Sequence, residues 1–303
     1  MTRTEFLQRR KSGIGGSDVA AILGLSPWRS PLDVWYDKTE CDSNAIVDTA
    51  EPTGEDRALY WGAVHEDAIA KAYTTVTGRK VMRYNRLLQN PVAPWEIGDV
   101  DRLVVPESGK RAFNTRTGEV LTDRALECKT ARYKGEEWGE EWTDEIPVWY
   151  YMQVQWYMRL MPTVKFFDVA VLFGGSDFQI FTVERNEDVI RKIAEAVGRF
   201  WKVNVMEKYP PAPRSIEDVQ KLYPAANVPK ITASAELEAD VRELVRATAA
   251  RKNAEKAESE IKFRVAAAMG NAELAELPDG TPLVTYKNTA RGGRLLSAKI
   301  NVA

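Results

Sequence analysis

Ala125-Leu126-Glu127-Cys128-Lys129-Thr130 is the stretch on which the reading of the fold turns. Its alternation predicts a β-strand in which Glu127 and Lys129 leave one face while Leu126 and Cys128 leave the other. A carboxylate and an amine then stand side by side. Upstream, Ile97-Gly98-Asp99-Val100-Asp101-Arg102-Leu103-Val104-Val105 reads as a second strand, otherwise apolar enough to be buried. Burying an unpaired carboxylate is costly, so Asp101 needs a purpose there. Asp101, Glu127 and the backbone carbonyl of Cys128 are hard oxygen donors of the kind that holds Mg²⁺ or Mn²⁺ and not zinc. Acids and a lysine on paired strands are also an ordinary exposed charge pattern. The apolar surroundings favour the site.

The rest of the composition narrows the choices. With 303 residues, 44% hydrophobic and 10% aromatic, the chain is long enough for one large domain or a domain with an extension. No run approaches the roughly 18 apolar residues of a membrane span, and the opening Met1-Thr2-Arg3-Thr4-Glu5-Phe6 lacks the apolar centre of a secretory signal. A cytoplasmic protein with no membrane partner is expected. Cys41 and Cys128 are too few for a disulfide framework, a structural zinc site or an iron–sulfur cluster. A net charge of −2 carries no global sign of nucleic-acid binding, so contacts with DNA would have to come from local basic patches.

Along the chain, Glu5 to Lys11 reads as a short basic helix, broken by Ser12-Gly13-Ile14-Gly15-Gly16 before a helix from Asp18 to Leu23, with Ser17 as its N-cap. Another helix is expected through Leu32 to Tyr36. From Leu59 to Thr77, Trp61, Val64, Ala68, Ile69 and Ala72 recur at helical spacing on a segment that carries Glu66. Strands are expected at about 80–89, 96–105, 124–130, 164–173 and 178–184, with helices over Pro147 to Met161 and 187–206. This is an α+β pattern. Tyr209-Pro210-Pro211-Ala212-Pro213 opens a linker, Ser234 to Met269 reads as one or two long charged helices, and Leu274 to Thr289 as a hairpin around Pro278-Asp279-Gly280. The expected divisions are a main α+β domain over 1–206, a Pro-containing linker over 207–233 and a charged helical and hairpin extension over 234–303.

Arg10, Gly13-Ile14-Gly15-Gly16-Ser17-Asp18, Gly24-Leu25-Ser26-Pro27-Trp28, Trp61-Gly62 with Glu66, Asp101 with Leu103, Leu126-Glu127-Cys128-Lys129, and Tyr150 with Gln153-Val154-Gln155 follow one another in this order. In this the chain resembles the YqaJ-like viral recombinases, relatives of the lambda exonuclease and the phage alkaline exonucleases. The resemblance covers most of residues 8–185. It implies a restriction-endonuclease-like core, a mixed central sheet flanked by helices, that degrades linear double-stranded DNA from its 5′ ends and leaves 3′ single strands for recombination. By the same resemblance Glu66, Asp101, Glu127 and the Cys128 carbonyl hold Mg²⁺ (or Mn²⁺), with two ions expected, and Lys129 positions or helps deprotonate the attacking water. Arg10 and Ser17 match positions that bind phosphate at the DNA end, and Gln153 a polar residue beside the scissile phosphate. A single-strand annealing protein as partner and a ring-shaped homotrimer are also implied.

Neighbouring residues rank lower. Arg9 is an alternative to Arg10, Gln155 should face away from the site, and His65 falls outside the metal shell because spacing from Gly62 selects Glu66. Trp28 and Trp35 are candidates for stacking on unpaired bases, although aromatic residues on short helices are core packing more often than not. Arg102 stands where a small residue is common, and the stretch between Asp101 and Glu127 suggests a longer hairpin than in the simplest relatives. A structure-specific or helicase-linked endonuclease with the same core, and a non-catalytic DNA-end-binding scaffold, are the competing readings. Cutting of closed circles, or binding without products, would distinguish them.

Overall fold

The computed structural model describes residues 11–39, 56–228, 230–290 and 292–300. The expected helix over Glu5–Lys11, together with Arg9, Arg10 and Cys41, lies almost wholly outside them. The chain divides into two compact units, one ending at Pro224 and the other beginning at Ala225.

The first unit is built on a five-stranded mixed sheet. Its strands are β1 (Val81–Arg83), β4 (Arg102–Val104), β5 (Arg124–Ala131), β6 (Phe166–Phe173) and β7 (Asp177–Glu184), side by side in that order. Neighbours are antiparallel except β5 and β6, which run parallel with Glu127 opposite Val169. A parallel pair needs a crossover, and the helix Val148–Leu160 supplies it. Two further strands, β2 (Leu88–Gln89) and β3 (Ile97–Gly98), form a separate antiparallel pair.

Helices cover both faces of the sheet. In chain order they are α1 (Gly16–Ile22), α2 (Pro31–Thr39), α3 (Asp56–Thr77), α4 (Val148–Leu160), α5 (Glu187–Arg199), which continues as a π-helical segment over Phe200–Met206, and α6 (Ile216–Leu222). Strand alternation assigns each face its partner. Phe167, Val169, Val171 and Phe173 of β6 join Val154, Trp156 and Met158 of α4 and Ile190, Ile193 and Val197 of α5 in the larger core. Leu126 of β5, Ala170 of β6 and Ile180 of β7 pack instead with Ile69, Ala70 and Tyr73 of α3. Buried on that second face, Asp168 accepts hydrogen bonds from Tyr73, Arg124 and Thr182, which satisfy a carboxylate with no exposure to water.

Three features depart from the sequence expectation. The apolar run 96–105 is not one strand: β3 pairs with β2, β4 pairs with β1 and β5, and the chain changes sheets across Asp99-Val100-Asp101. Asp101 therefore sits in the bend just before β4, where its side chain is freed from strand alternation. Ser17 is not the N-cap of α1: the cap is Gly15, whose N–H donates to Asp18 Oδ2 at 3.1 Å, and Ser17 lies exposed in the first turn. Finally, α6 forms inside the stretch read as linker and is tied to α2 through Ser30 Oγ, which donates to Asp218 Oδ1 at 2.7 Å, and through the Lys221–Asp33 ion pair. A Pro-rich run hides such a helix because its apolar face is short.

The second unit holds α7 (Ala235–Met269), capped by Ser234, whose hydroxyl accepts from Leu237 N–H at 3.1 Å. It also holds an antiparallel sheet in the order β10 (Arg294–Ala298), β9 (Pro282–Asn288), β8 (Leu274–Glu276). The expected hairpin is β8–β9, turning at Gly280, whose φ of 85° suits a residue without Cβ. Among the described residues, no helix is long and apolar enough to cross a membrane.

Candidate active site

β5 delivers Glu127 and Lys129 to the α4 side of the sheet, as their spacing requires, while Leu126 and Cys128 pack toward α3. The Lys129 ammonium donates to Glu127 Oε1 at 2.7 Å. From α4, Gln153 Nε2 donates to the same oxygen at 2.7 Å and to the Tyr157 hydroxyl, one helical turn on, at 3.0 Å. Glu127 is 3% exposed, and its second oxygen, Oε2, is buried with no hydrogen-bond partner. Asp101 Oδ2 accepts the Cys128 N–H at 2.7 Å, which fixes it beside Glu127.

The electrostatics describe two acids with too little positive charge. Burial, and then the neighbouring Glu127 charge, push the Asp101 carboxyl up to about 8, against the pull of Lys129 and the Cys128 N–H. Burial likewise raises Glu127 above the usual carboxylate range, opposed by Lys129 and reinforced by Asp99 and Glu66. Burial on its own would lower Lys129, but Glu127 and Asp101 outweigh it and the amine is held more firmly protonated than in water. Its Nζ also lies 4.9 Å from the centre of the Tyr150 ring.

Glu66 is placed differently. Its carboxylate is paired with the Arg102 guanidinium, which also donates to Asp67 Oδ1 and to the Asp101 carbonyl, each at 2.6 Å. The structure therefore brings Asp101, Glu127, Lys129 and Gln153 together and holds Glu66 at their edge on an arginine. Among the described residues, no three His, Cys, Asp or Glu side chains are gathered closely enough to hold a metal ion by themselves. Even so, the donor chemistry fits a divalent cation: two buried carboxylates, one with an orphaned oxygen, are what such an ion neutralises.

The remaining candidates fall around this cluster. Gly16 in α1 touches α4: a Cβ there would lie 2.5 Å from Tyr157 Cε1 and 3.0 Å from Gln153 Cγ, so the glycine lets the turn carrying Ser17 approach Gln153. Asp18, in the same turn, is buried against Arg29 Nη1 at 2.9 Å and Lys38 Nζ at 3.0 Å, a structural ion pair in a segment expected to bind DNA ends. Gln155 faces away, donating to the Glu184 carbonyl at 2.7 Å and accepting from Asn186 N–H at 3.0 Å. His65 stacks on Trp61, and Trp35 donates to the Asn204 carbonyl at 2.8 Å, so Trp35 anchors α2. Trp28 is 67% exposed and meets Trp149 edge-on at 5.3 Å. Arg102, Tyr150 and Tyr157 were not singled out from sequence as site residues. Tyr157 carried a signal in standing four residues after Gln153; Arg102 was visible only as an unusual charge in an apolar run.

The comparisons with known proteins follow the same lines. The family profile of the YqaJ-like viral recombinase domain matches residues 5–161, just over half the chain. The uncharacterized protein YqaJ of Bacillus subtilis (strain 168) is 36% identical over 214 residues, covering 70% of this chain and 59% of that protein, less than two thirds of its length. Among solved structures, the chain is similar to LHK-Exo, an alkaline exonuclease from Laribacter hongkongensis, at 14% identity and a TM-score of 0.45, with 72% of this chain and 99% of the other covered. It is also similar to a phage-related exonuclease from Haemophilus somnus 129PT, at 12% identity and a TM-score of 0.41, with coverages of 65% and 96%. On its match to the profile, and with the motifs of that match arranged as described, the chain belongs to the YqaJ-like viral recombinase family.

Proposed function

We propose that this protein is a metal-dependent 5′→3′ exonuclease acting on linear double-stranded DNA and leaving 3′ single strands for recombination. The observation that carries the reading is the pair of buried acids Asp101 and Glu127, with an orphaned carboxylate oxygen on Glu127 and, among the described residues, the Lys129 ammonium bonded to its other oxygen. The polarity, the duplex substrate and the annealing partner for its product rest on the family resemblance.

Asp101, Glu127 and the Cys128 carbonyl would hold Mg²⁺ or Mn²⁺, joined by Glu66 once it leaves Arg102. A divalent cation bound there supplies positive charge at the scissile phosphate and lowers the pKa of an attacking water. The chain's own residues do the rest. Gln153 and Lys129 both engage Glu127 Oε1, which leaves Oε2 as the oxygen turned to the site. The Cys128 N–H holds Asp101 in one orientation, so ligand geometry is set before substrate arrives. Lys129, its ammonium bonded to Glu127 Oε1, would serve as an electrostatic partner for charge building on phosphorus and would position the attacking water or help deprotonate it. Ser17 in the exposed first turn of α1, with Arg10, would receive the phosphate at the DNA end.

The test is a linear duplex labelled at either the 5′ or the 3′ end, with and without Mg²⁺, beside a closed circle. Early, Mg²⁺-dependent release of the 5′ label with the circle intact is expected. Nicking of the circle would replace the proposal with an endonuclease, and no release from either end would remove the catalytic reading.

A further inference from the structure

α7 is 35 residues long, about 52 Å at 1.5 Å per residue, yet Met269 at its end is its only buried side chain. Leu237, Val241, Leu244, Val245 and Ile261 are between 39% and 65% exposed. Leu237, Val241 and Leu244 follow at steps of four and three, and Ile261, Val265 and Ala268 repeat that spacing toward the other end. These are two short apolar patches, one at each end, which fall on one side of the helix at the 3.5 residues per turn of a coiled coil, and each asks for a covering surface.

The charges say which surface. From Glu236 to Val245 the helix carries Glu236, Glu238, Asp240 and Glu243 against Arg242, a net −3. From Arg246 to Arg264 it carries Arg246, Arg251, Lys252, Lys256, Lys262 and Arg264 against Glu255, Glu258 and Glu260, a net +3. The two ends are equal and opposite. Two copies side by side and parallel would set acid on acid and base on base. An antiparallel pair sets each end on its complement, twice by symmetry. A register with Leu244 facing Ile261 of the second copy also sets Glu243 opposite Lys262, because each pair has the same sum of positions.

We infer that α7 is a self-association element, pairing antiparallel with α7 of a second copy of this chain. The inference is independent of the nuclease reading. It also differs in kind from a ring closed by the nuclease unit, since its contact is a two-fold one.

The experiment is sedimentation velocity of the full chain and three charge variants, with circular dichroism to check that helix content is kept. The variants are an acidic-end reversal (Glu238→Lys, Asp240→Lys, Glu243→Lys), a basic-end reversal (Lys256→Glu, Lys262→Glu, Arg264→Glu) and the combination of all six. All six positions are exposed, so folding should tolerate them. Each single-end reversal should weaken self-association by about tenfold or more, a few like-charge contacts being enough for that. The combined variant should return to within a few-fold of the parent. A chain that stays monomeric at tens of micromolar, an association indifferent to either reversal, or a combined variant that fails to recover would each overturn the inference, and in the first case leave the patches to a different partner.

Discussion

Glu127 and Lys129, two residues apart on β5, share one face of the sheet, with the ammonium 2.7 Å from Oε1 and no protein partner for Oε2. Folding thus places an acid where water is excluded and satisfies half of it. Glu127→Gln should keep the shape and remove the charge. Because burial raises the Glu127 pKa, the ionised carboxylate weighs against the fold at neutral pH, so the substitution should raise Tm in metal-free buffer. Hydrolysis should fall by about a thousandfold or more, with the loss of a group that acts in the transition state. Thermal denaturation and end-label release measure the two effects; unchanged activity would remove Glu127 from the mechanism.

Asp101 makes a pH prediction whose sign can be worked through. Its carboxyl titrates near 8 in the metal-free fold and about 4 in the unfolded chain. Between those values the native state binds the extra proton, so this group's contribution to stability is present below about pH 4 and is lost as pH rises toward 8. Tm without metal should therefore decline across that window, and Asp101→Asn should flatten the decline. Mg²⁺ binding at pH 7 should release protons, which calorimetry in buffers of different ionisation enthalpy detects. Equal heats in all buffers would contradict the assignment.

How far these positions could be read beforehand differs from residue to residue. The pairing of Glu127 with Lys129 was legible because strand alternation is a local, period-two property. The split of 96–105 between two sheets was not, since residues buried in either sheet look equally apolar. Ser17 and Gly15 illustrate the same limit for caps: both residue types suit the position, and the helix begins at Gly15 because its carbonyl accepts from Asp18 N–H at 3.0 Å and its N–H donates to Asp18 Oδ2 at 3.1 Å. Arg102 could be seen as a charge in an apolar run, but its partner Glu66 is 36 residues away, and nothing local joins them.

Arg102 competes with a cation for Glu66. Arg102→Met keeps much of the buried side-chain volume and removes the guanidinium that pairs with Glu66 and Asp67. Metal-free stability should drop by about 1–3 kcal/mol, less than for a fully buried pair because Asp67 is well exposed. Mg²⁺ should recover more of Tm in the variant than in the parent, because Glu66 is then available as a ligand. A smaller recovery would mean that Arg102 positions Glu66 for the ion and does not withhold it.

Two glycines separate packing from ligand approach. Gly16→Ala puts a Cβ 2.5 Å from Tyr157 Cε1 and 3.0 Å from Gln153 Cγ, in a contact between α1 and α4 that has no slack. Relief requires α1 to move or the Tyr157 ring to shift and take its hydrogen-bonded partner Gln153 with it, at a cost of about 1–3 kcal/mol. Moving Gln153 releases its hold on Glu127 Oε1, so kcat should fall as well as Tm. At Gly62, on α3 one turn before Glu66, an added Cβ meets nothing within 4 Å. Alanine there should stabilise the helix by roughly 0.5–1 kcal/mol. If that face receives DNA, Gly62→Ala should raise KM for duplex ends while raising Tm, a pairing of effects that packing alone does not produce. A variant with higher Tm and unchanged KM would place the DNA path elsewhere.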